Sequence, residues 1–104
     1  MIETVTPEKA AELITNPDVD VVDVRDAEEW SGGHIPHARP VPLDRLRADP
    51  DTLSRGRKIM FVCAKGVRSL TAAKLAERLG LSDLYNLEGG TAGWVRAGLP
   101  LVVG

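Results

Sequence analysis

A chain of 104 residues has room for one hydrophobic core but not two, so residues 1–104 are read as a single domain. Its 13 basic and 15 acidic residues give a net charge of −2, which excludes a basic field broad enough for a nucleic-acid partner. One cysteine allows no internal disulfide, and no apolar run approaches the roughly 20 residues that a membrane span needs. The N-terminal segment also lacks the basic-then-apolar pattern of a signal peptide, so a cytoplasmic setting with no membrane partner is expected.

Thr6-Pro7-Glu8 starts a helix, with a capping hydroxyl followed by proline at the first helical position. Ala10, Leu13 and Ile14 share one face of it, and Asn16-Pro17 ends it. Asp20 to Val24 is a valine-rich buried strand, followed by a short polar helix over about Asp26 to Trp30. Ser31 to Pro36 is a glycine- and proline-containing loop, and Ala38 to Pro42 an extended segment. Leu43 to Leu53 holds one or two charged helices, broken near Pro50.

Lys58 to Val62 is the central strand, and Ser69 to Leu79 a helix with Ala72, Leu75, Ala76 and Leu79 along one stripe. Leu84 to Leu87 is a further strand. Glu88-Gly89-Gly90-Thr91 then turns the chain into a last helix that carries Trp94 and ends near Gly98. Strands alternating with helices predict an α/β fold with a mostly parallel sheet of four or five strands, flanked by helices in three layers. In such sheets ligands bind at the carboxyl ends of the strands, where Cys63 falls.

The segment Cys63-Ala64-Lys65-Gly66-Val67-Arg68 joins that central strand to a helix. Gly66 permits positive φ, so successive backbone N–H groups can turn inward as an anion nest. Lys65 and Arg68 set two cations beside the thiol, Arg68 with a planar fork suited to an oxyanion, and Ser69 adds a hydroxyl at the helix start. These features lower a thiol pKa and favour the nucleophilic thiolate. A buried structural cysteine is the plainer alternative, but it needs neither the cations nor the glycine. The Gly-x-x-x-x-Gly-Lys-Ser/Thr phosphate loop is absent.

This loop, together with Asp23-Val24-Arg25, Glu29-Trp30, Gly33-His34-Ile35-Pro36, Gly89-Gly90 and Trp94, resembles the rhodanese family of thiosulfate and persulfide sulfurtransferases over roughly residues 3–101. The resemblance implies a sulfurtransferase in which Cys63 takes a sulfane sulfur from thiosulfate or a persulfide and passes it to cyanide or a thiol. It implies that the backbone from Ala64 to Arg68 (with Lys65, Gly66 and Val67 between them) binds the anion, while Lys65 and Arg68 supply charge. Neither metal nor organic cofactor is needed for that chemistry. The partners implied are a small anionic sulfur donor and its acceptor, with a sulfur-relay protein as a further option. Phosphatases that share the fold resemble longer-loop relatives, so phosphatase or arsenate reductase activity ranks below sulfur transfer. A protein-binding module without catalysis is the other alternative.

Asp23 and Arg25 are expected to form a structural ion pair or hydrogen-bonded network, and the resemblance implies that they brace the active-site region, joined by Glu29, with Arg25 also able to add positive potential at the pocket mouth. His34 and His37 with one thiolate make a thin ligand set, so no metal site is expected. The family usually has glycine where His37 stands; if that turn needs positive φ, histidine tolerates it better than a β-branched residue. Trp30 and Trp94 are expected to anchor packing, and Asp44 to Asp49 to form a solvated helix face.

Overall fold

The computed structural model describes residues 1–104. Its strands are β1 (Ile2–Val5), β2 (Val19–Asp23), β3 (Ala38–Pro40), β4 (Lys58–Val62) and β5 (Leu84–Leu87). Between and after them lie α1 (Pro7–Leu13), α2 (Ala27–Ser31), α3 (Leu43–Ala48) with a 3₁₀ turn at Pro50–Thr52, α4 (Val67–Arg78) and α5 (Gly90–Arg96). The five strands form one sheet in the order β1-β5-β4-β2-β3, and every pair is parallel. The α/β fold expected from the sequence is therefore present, with five strands and no antiparallel pair among them. One isolated antiparallel bridge lies outside the sheet, where Val102 pairs with His34.

The period-two alternation of the central strands sorts the apolar side chains into two cores. Val22, Val24, Ile59, Phe61 and Cys63 point to one side, where Leu46 of α3 and Ala72, Ala73 and Ala76 of α4 cover them. Val19, Val21, Met60 and Val62 point to the other, against Ala10 of α1 and Trp94 of α5. Alanines line the buried face of α4, and on the opposite side of the sheet Trp94 is buried with its Nε1–H donating to the Pro100 carbonyl at 2.8 Å. Trp94 thus anchors packing, as expected.

Helix starts follow their caps. Thr6 Oγ1 accepts the Lys9 N–H at the head of α1, and Asp26 and Glu29 exchange side chain and backbone bonds in a capping box at the head of α2. Helix α4 begins at Val67, two residues before the predicted Ser69, because Gly66 at φ 97° caps it through a left-handed backbone that carries no side-chain signal. His37 has φ 72°, so the turn does adopt the geometry for which glycine is the easier residue. Strands β2 and β4 lie side by side with Asp23 opposite Val62. Their carboxyl ends therefore open together, and Cys63 leaves the sheet at that edge.

Candidate active site

Past β4 the chain makes a short arc, Cys63 to Gly66, before α4 begins. The arc is fixed from behind by α5. The Thr91 N–H donates to the Cys63 carbonyl at 2.8 Å and the Ala92 N–H to the Ala64 carbonyl at 3.1 Å. In a planar trans peptide the N–H points opposite the carbonyl, so tying both carbonyls to α5 turns the Ala64 and Lys65 N–H groups away from that helix. Contact is close enough to exclude a side chain at Gly90, where a Cβ would lie 2.6 Å from the Ala64 carbonyl oxygen. Gly90 also has φ 59°, so the Gly89-Gly90 pair is a geometric requirement of the cysteine arc.

On the other side of the arc lies a cleft of about 340 Å³ lined by Glu29, Cys63, Ala64, Lys65, Val67 and Arg68. Cys63 is at its floor, only 1% exposed. The Gly66 N–H donates to Cys63 Sγ at 3.0 Å, and Ser69 Oγ lies 3.3 Å from the same sulfur. Burial pushes the thiol pKa up, but hydrogen bonding with the Ser69 side chain and from the Ser69, Lys65 and Gly66 N–H groups outweighs it and holds the thiol below its ordinary value. Those amides belong to the first turn of α4 and the arc before it, where the helix dipole also favours negative charge.

The cations divide. Lys65 is exposed at the rim of the cleft. Arg68 sits on the first turn of α4 with Nη1 and Nη2 on the two carboxylate oxygens of Glu29, at 2.8 and 2.9 Å. That bidentate bond pulls the Glu29 carboxyl down to about 2 and raises Arg68. The resemblance groups Glu29 with Asp23 and Arg25; in the fold its carboxylate is bonded to Arg68 instead, because α2 lies across the cleft mouth from α4. Val67, the remaining residue of the arc region, projects to solvent and is 74% exposed.

Asp23 and Arg25 form the buried ion pair expected of them but do not line this cleft. Arg25 Nε and Nη2 reach the Asp23 carboxylate at 3.0 and 2.9 Å, and Nη2 also donates to the Gly33 carbonyl at 2.7 Å. The pair thus ties the end of β2 to the glycine loop. His34 is buried, stacked on Trp30 with ring centroids 3.6 Å apart, and no group of three His, Cys, Asp or Glu side chains is arranged to hold a metal ion.

One residue at the thiol is not apparent from the sequence. Asn86 of β5 accepts the Ser69 hydroxyl on Oδ1 at 2.5 Å and reaches the Gly66 carbonyl with Nδ2 at 3.4 Å. An amide inside a short buried strand is the available signal, since such a group needs hydrogen-bond partners.

Comparison with known proteins agrees with this geometry. Residues 6–97 match the family model described as a rhodanese-like domain. The chain belongs to the rhodanese family. A rhodanese-related protein from Thermoplasma volcanium superposes with a TM-score of 0.89 at 30% identity, covering 98% of this chain and 99% of that one. Thiosulfate sulfurtransferase GlpE of Actinobacillus succinogenes is 31% identical over 97 residues, covering 93% of this chain and 87% of its own length. The uncharacterised protein YqhL of Bacillus subtilis is 35% identical over 74 residues, which cover 71% of this rhodanese chain but only 59% of YqhL. The match thus spans less than two thirds of that relative's length. No helix here is long and apolar enough to cross a membrane.

Proposed function

We propose that residues 1–104 form a single rhodanese-like domain that acts as a sulfurtransferase, with Cys63 as nucleophile and sulfur carrier. The observation that carries this reading is the Cys63 sulfur at the floor of a small cleft, with the Gly66 N–H at 3.0 Å and the Ser69 hydroxyl at 3.3 Å. The backbone N–H donors are fixed in place, so they stabilise negative charge on the sulfur without rearrangement at the moment of reaction.

In the first half-reaction the Cys63 thiolate attacks the outer sulfur of thiosulfate or of a persulfide. The donor's sulfur–sulfur bond breaks, and sulfite, or the donor thiolate, leaves with the electron pair. Cys63 is left as a persulfide whose outer sulfur carries the charge. In the second half-reaction cyanide or an acceptor thiolate attacks that outer sulfur, the new bond breaks, and the pair returns to Cys63 Sγ. Backbone N–H groups between Ala64 and Arg68 hold the charge in both states, and Lys65 at the rim attracts the incoming anion. Arg68 reaches a substrate only by exchanging its Glu29 partner, which restricts that cation to anions strong enough to compete. A thiol poised in this way suits a reducing compartment such as the cytoplasm.

Intact mass after incubation with thiosulfate, then with cyanide, tests the reading, with Cys63→Ser in parallel. One added sulfur on the wild type alone, lost on cyanide addition with thiocyanate released, is the expected result. No added sulfur from thiosulfate or from any persulfide donor would overturn it in favour of a binding module.

A further inference from the structure

Three buried groups stand in line behind the reactive sulfur: Cys63 Sγ, Ser69 Oγ at 3.3 Å from it, and Asn86 Oδ1 at 2.5 Å from that hydroxyl. Ser69 is fully buried and Asn86 is 5% exposed, so water does not readily stand in for either partner. A serine hydroxyl has one proton and so donates to one acceptor at a time. The Gly66 carbonyl, an acceptor only, lies toward Nδ2 of Asn86 and thereby turns Oδ1 toward Ser69. Ser69 therefore stands between two competing acceptors, and which one it serves depends on the charge at Cys63.

We propose that Asn86 is a positioning residue: it takes the Ser69 proton whenever Cys63 Sγ carries no charge and releases it to Sγ when that sulfur is a bare thiolate. With the thiol, S–H donates to Ser69 Oγ and Ser69 donates to Asn86. Once the thiol proton leaves, the anionic sulfur is the stronger acceptor and the hydroxyl turns to it. This inference rests on the sulfurtransferase reading for its consequence. In the persulfide the charge lies on the outer sulfur, so Sγ no longer claims the proton and Asn86 takes it back. When the acceptor breaks the sulfur–sulfur bond, the electron pair returns to Sγ and the hydroxyl follows. The Ser69 bond thus assists Sγ as a leaving group during discharge, and Asn86 offsets what that bond would otherwise cost during loading.

Removing the two ends of this one hydrogen bond gives opposite signs, which general loosening of the arc would not. Ser69→Ala deprives the thiolate of its hydroxyl, whereas Asn86→Leu removes the competing acceptor and leaves the hydroxyl to the sulfur. The readout is the rate of Cys63 alkylation by iodoacetamide against pH, which follows the thiolate fraction and needs no sulfur donor. With Ser69→Ala the profile moves to higher pH, and the rate at neutral pH falls about tenfold, the scale of one hydrogen bond to a charged group. With Asn86→Leu it moves to lower pH, and Ser69→Thr restores the wild-type profile.

The charged groups near the site are retained in all these variants. Lys65, Arg68 and Glu29 line the cleft, Asp23 and Arg25 are paired to each other at the end of β2, and Asp44 and Arg47 of α3, Glu88 before α5 and Arg96 at its end are exposed. If Asn86→Leu does not fold, judged by its circular dichroism, Asn86→Ala replaces it. If neither folds, an unmoved Ser69→Ala profile still overturns the proposal. Shifts of both variants in the same direction would also overturn it. Cyanide discharge slowed in Ser69→Ala, and thiosulfate loading slowed in Asn86→Leu, complete the expected pattern. Opposite shifts in alkylation without any sulfur loading would uphold the Asn86 switch while refuting sulfur transfer.

Discussion

Two arginine–carboxylate pairs flank the carboxyl end of the sheet, and they are chemically alike but physically different. Arg25 and Asp23 are two residues apart in the chain, with side chains only 6% and 1% exposed. Arg68 and Glu29 join α4 to α2 across 39 residues, with side chains 39% and 31% exposed. Both pairs are bidentate and both have bonds at or below 3.0 Å. Bond geometry therefore does not separate a brace from an exchangeable contact. Burial does: Arg68 and Glu29 line the cleft, while Asp23 and Arg25 are buried outside it, with Arg25 tied to the Gly33 carbonyl.

The sharpest way to break this distinction is Asp23→Ala. It strands a guanidinium that is already bonded to the Gly33 carbonyl in a site too buried for water to replace the carboxylate. Breaking one side of a buried pair costs about 3–5 kcal/mol, so denaturant titration should show a larger stability loss than any substitution at Glu29 produces. A loss below about 1 kcal/mol would place the pair in the same class as exposed ones.

Glu29→Gln should do the reverse, changing stability by no more than about 1 kcal/mol while altering the cleft. Without the carboxylate, Arg68 is released to incoming anions. The rate of Cys63 alkylation by anionic iodoacetate, relative to neutral iodoacetamide, should rise by up to about fivefold, and the thiosulfate KM should fall by a similar factor. An unchanged ratio would mean that Arg68 does not act on the cleft, leaving Lys65 as its cation.

These two pairs also mark where the sequence is informative. The Asp-x-Arg spacing at the end of a valine-rich strand is enough to expect an ion pair or hydrogen-bonded network, because neighbours on one chain segment can meet whatever the rest of the fold does. The Glu29–Arg68 pair depends on how two helices from different parts of the chain face each other, which no local pattern encodes. The same division runs through the fold. Strand β4 announces itself through the apolar run Ile59 to Val62 and β2 through its valines, and both are buried on both faces.

Strand β1 does not, because Glu3 and Thr4 are exposed and only Val5 is fully buried at this sheet edge. It exists through its pairing with β5, with Ile2 opposite Leu84. The cysteine arc is legible from glycine and charge. That Gly90 must lack a side chain because it presses on the Ala64 carbonyl, and that Asn86 backs Ser69, are not, since both depend on β5 and α5 closing behind the arc.

Acid gives the smallest and most selective test of the comparison. The Glu29 carboxyl stands at about 2 in the folded protein against an ordinary 4.5. Its folded value is depressed, so the pair's contribution is fully present above the unfolded value and is lost as pH falls from about 4.5 through about 2. Side chains exposed by about a third are screened by solvent and salt, so this contribution is modest. Urea titrations of wild type and Glu29→Gln from pH 6 to pH 3 isolate it, because every other carboxylate is common to both. The difference in stability should be constant down to about pH 5 and then shrink, and added salt should reduce it throughout. A difference that does not change with pH would mean that Glu29 holds Arg68 through packing and neutral hydrogen bonds rather than through charge. An arginine held in that way would not yield to an anionic substrate, and Lys65 would then carry anion capture alone.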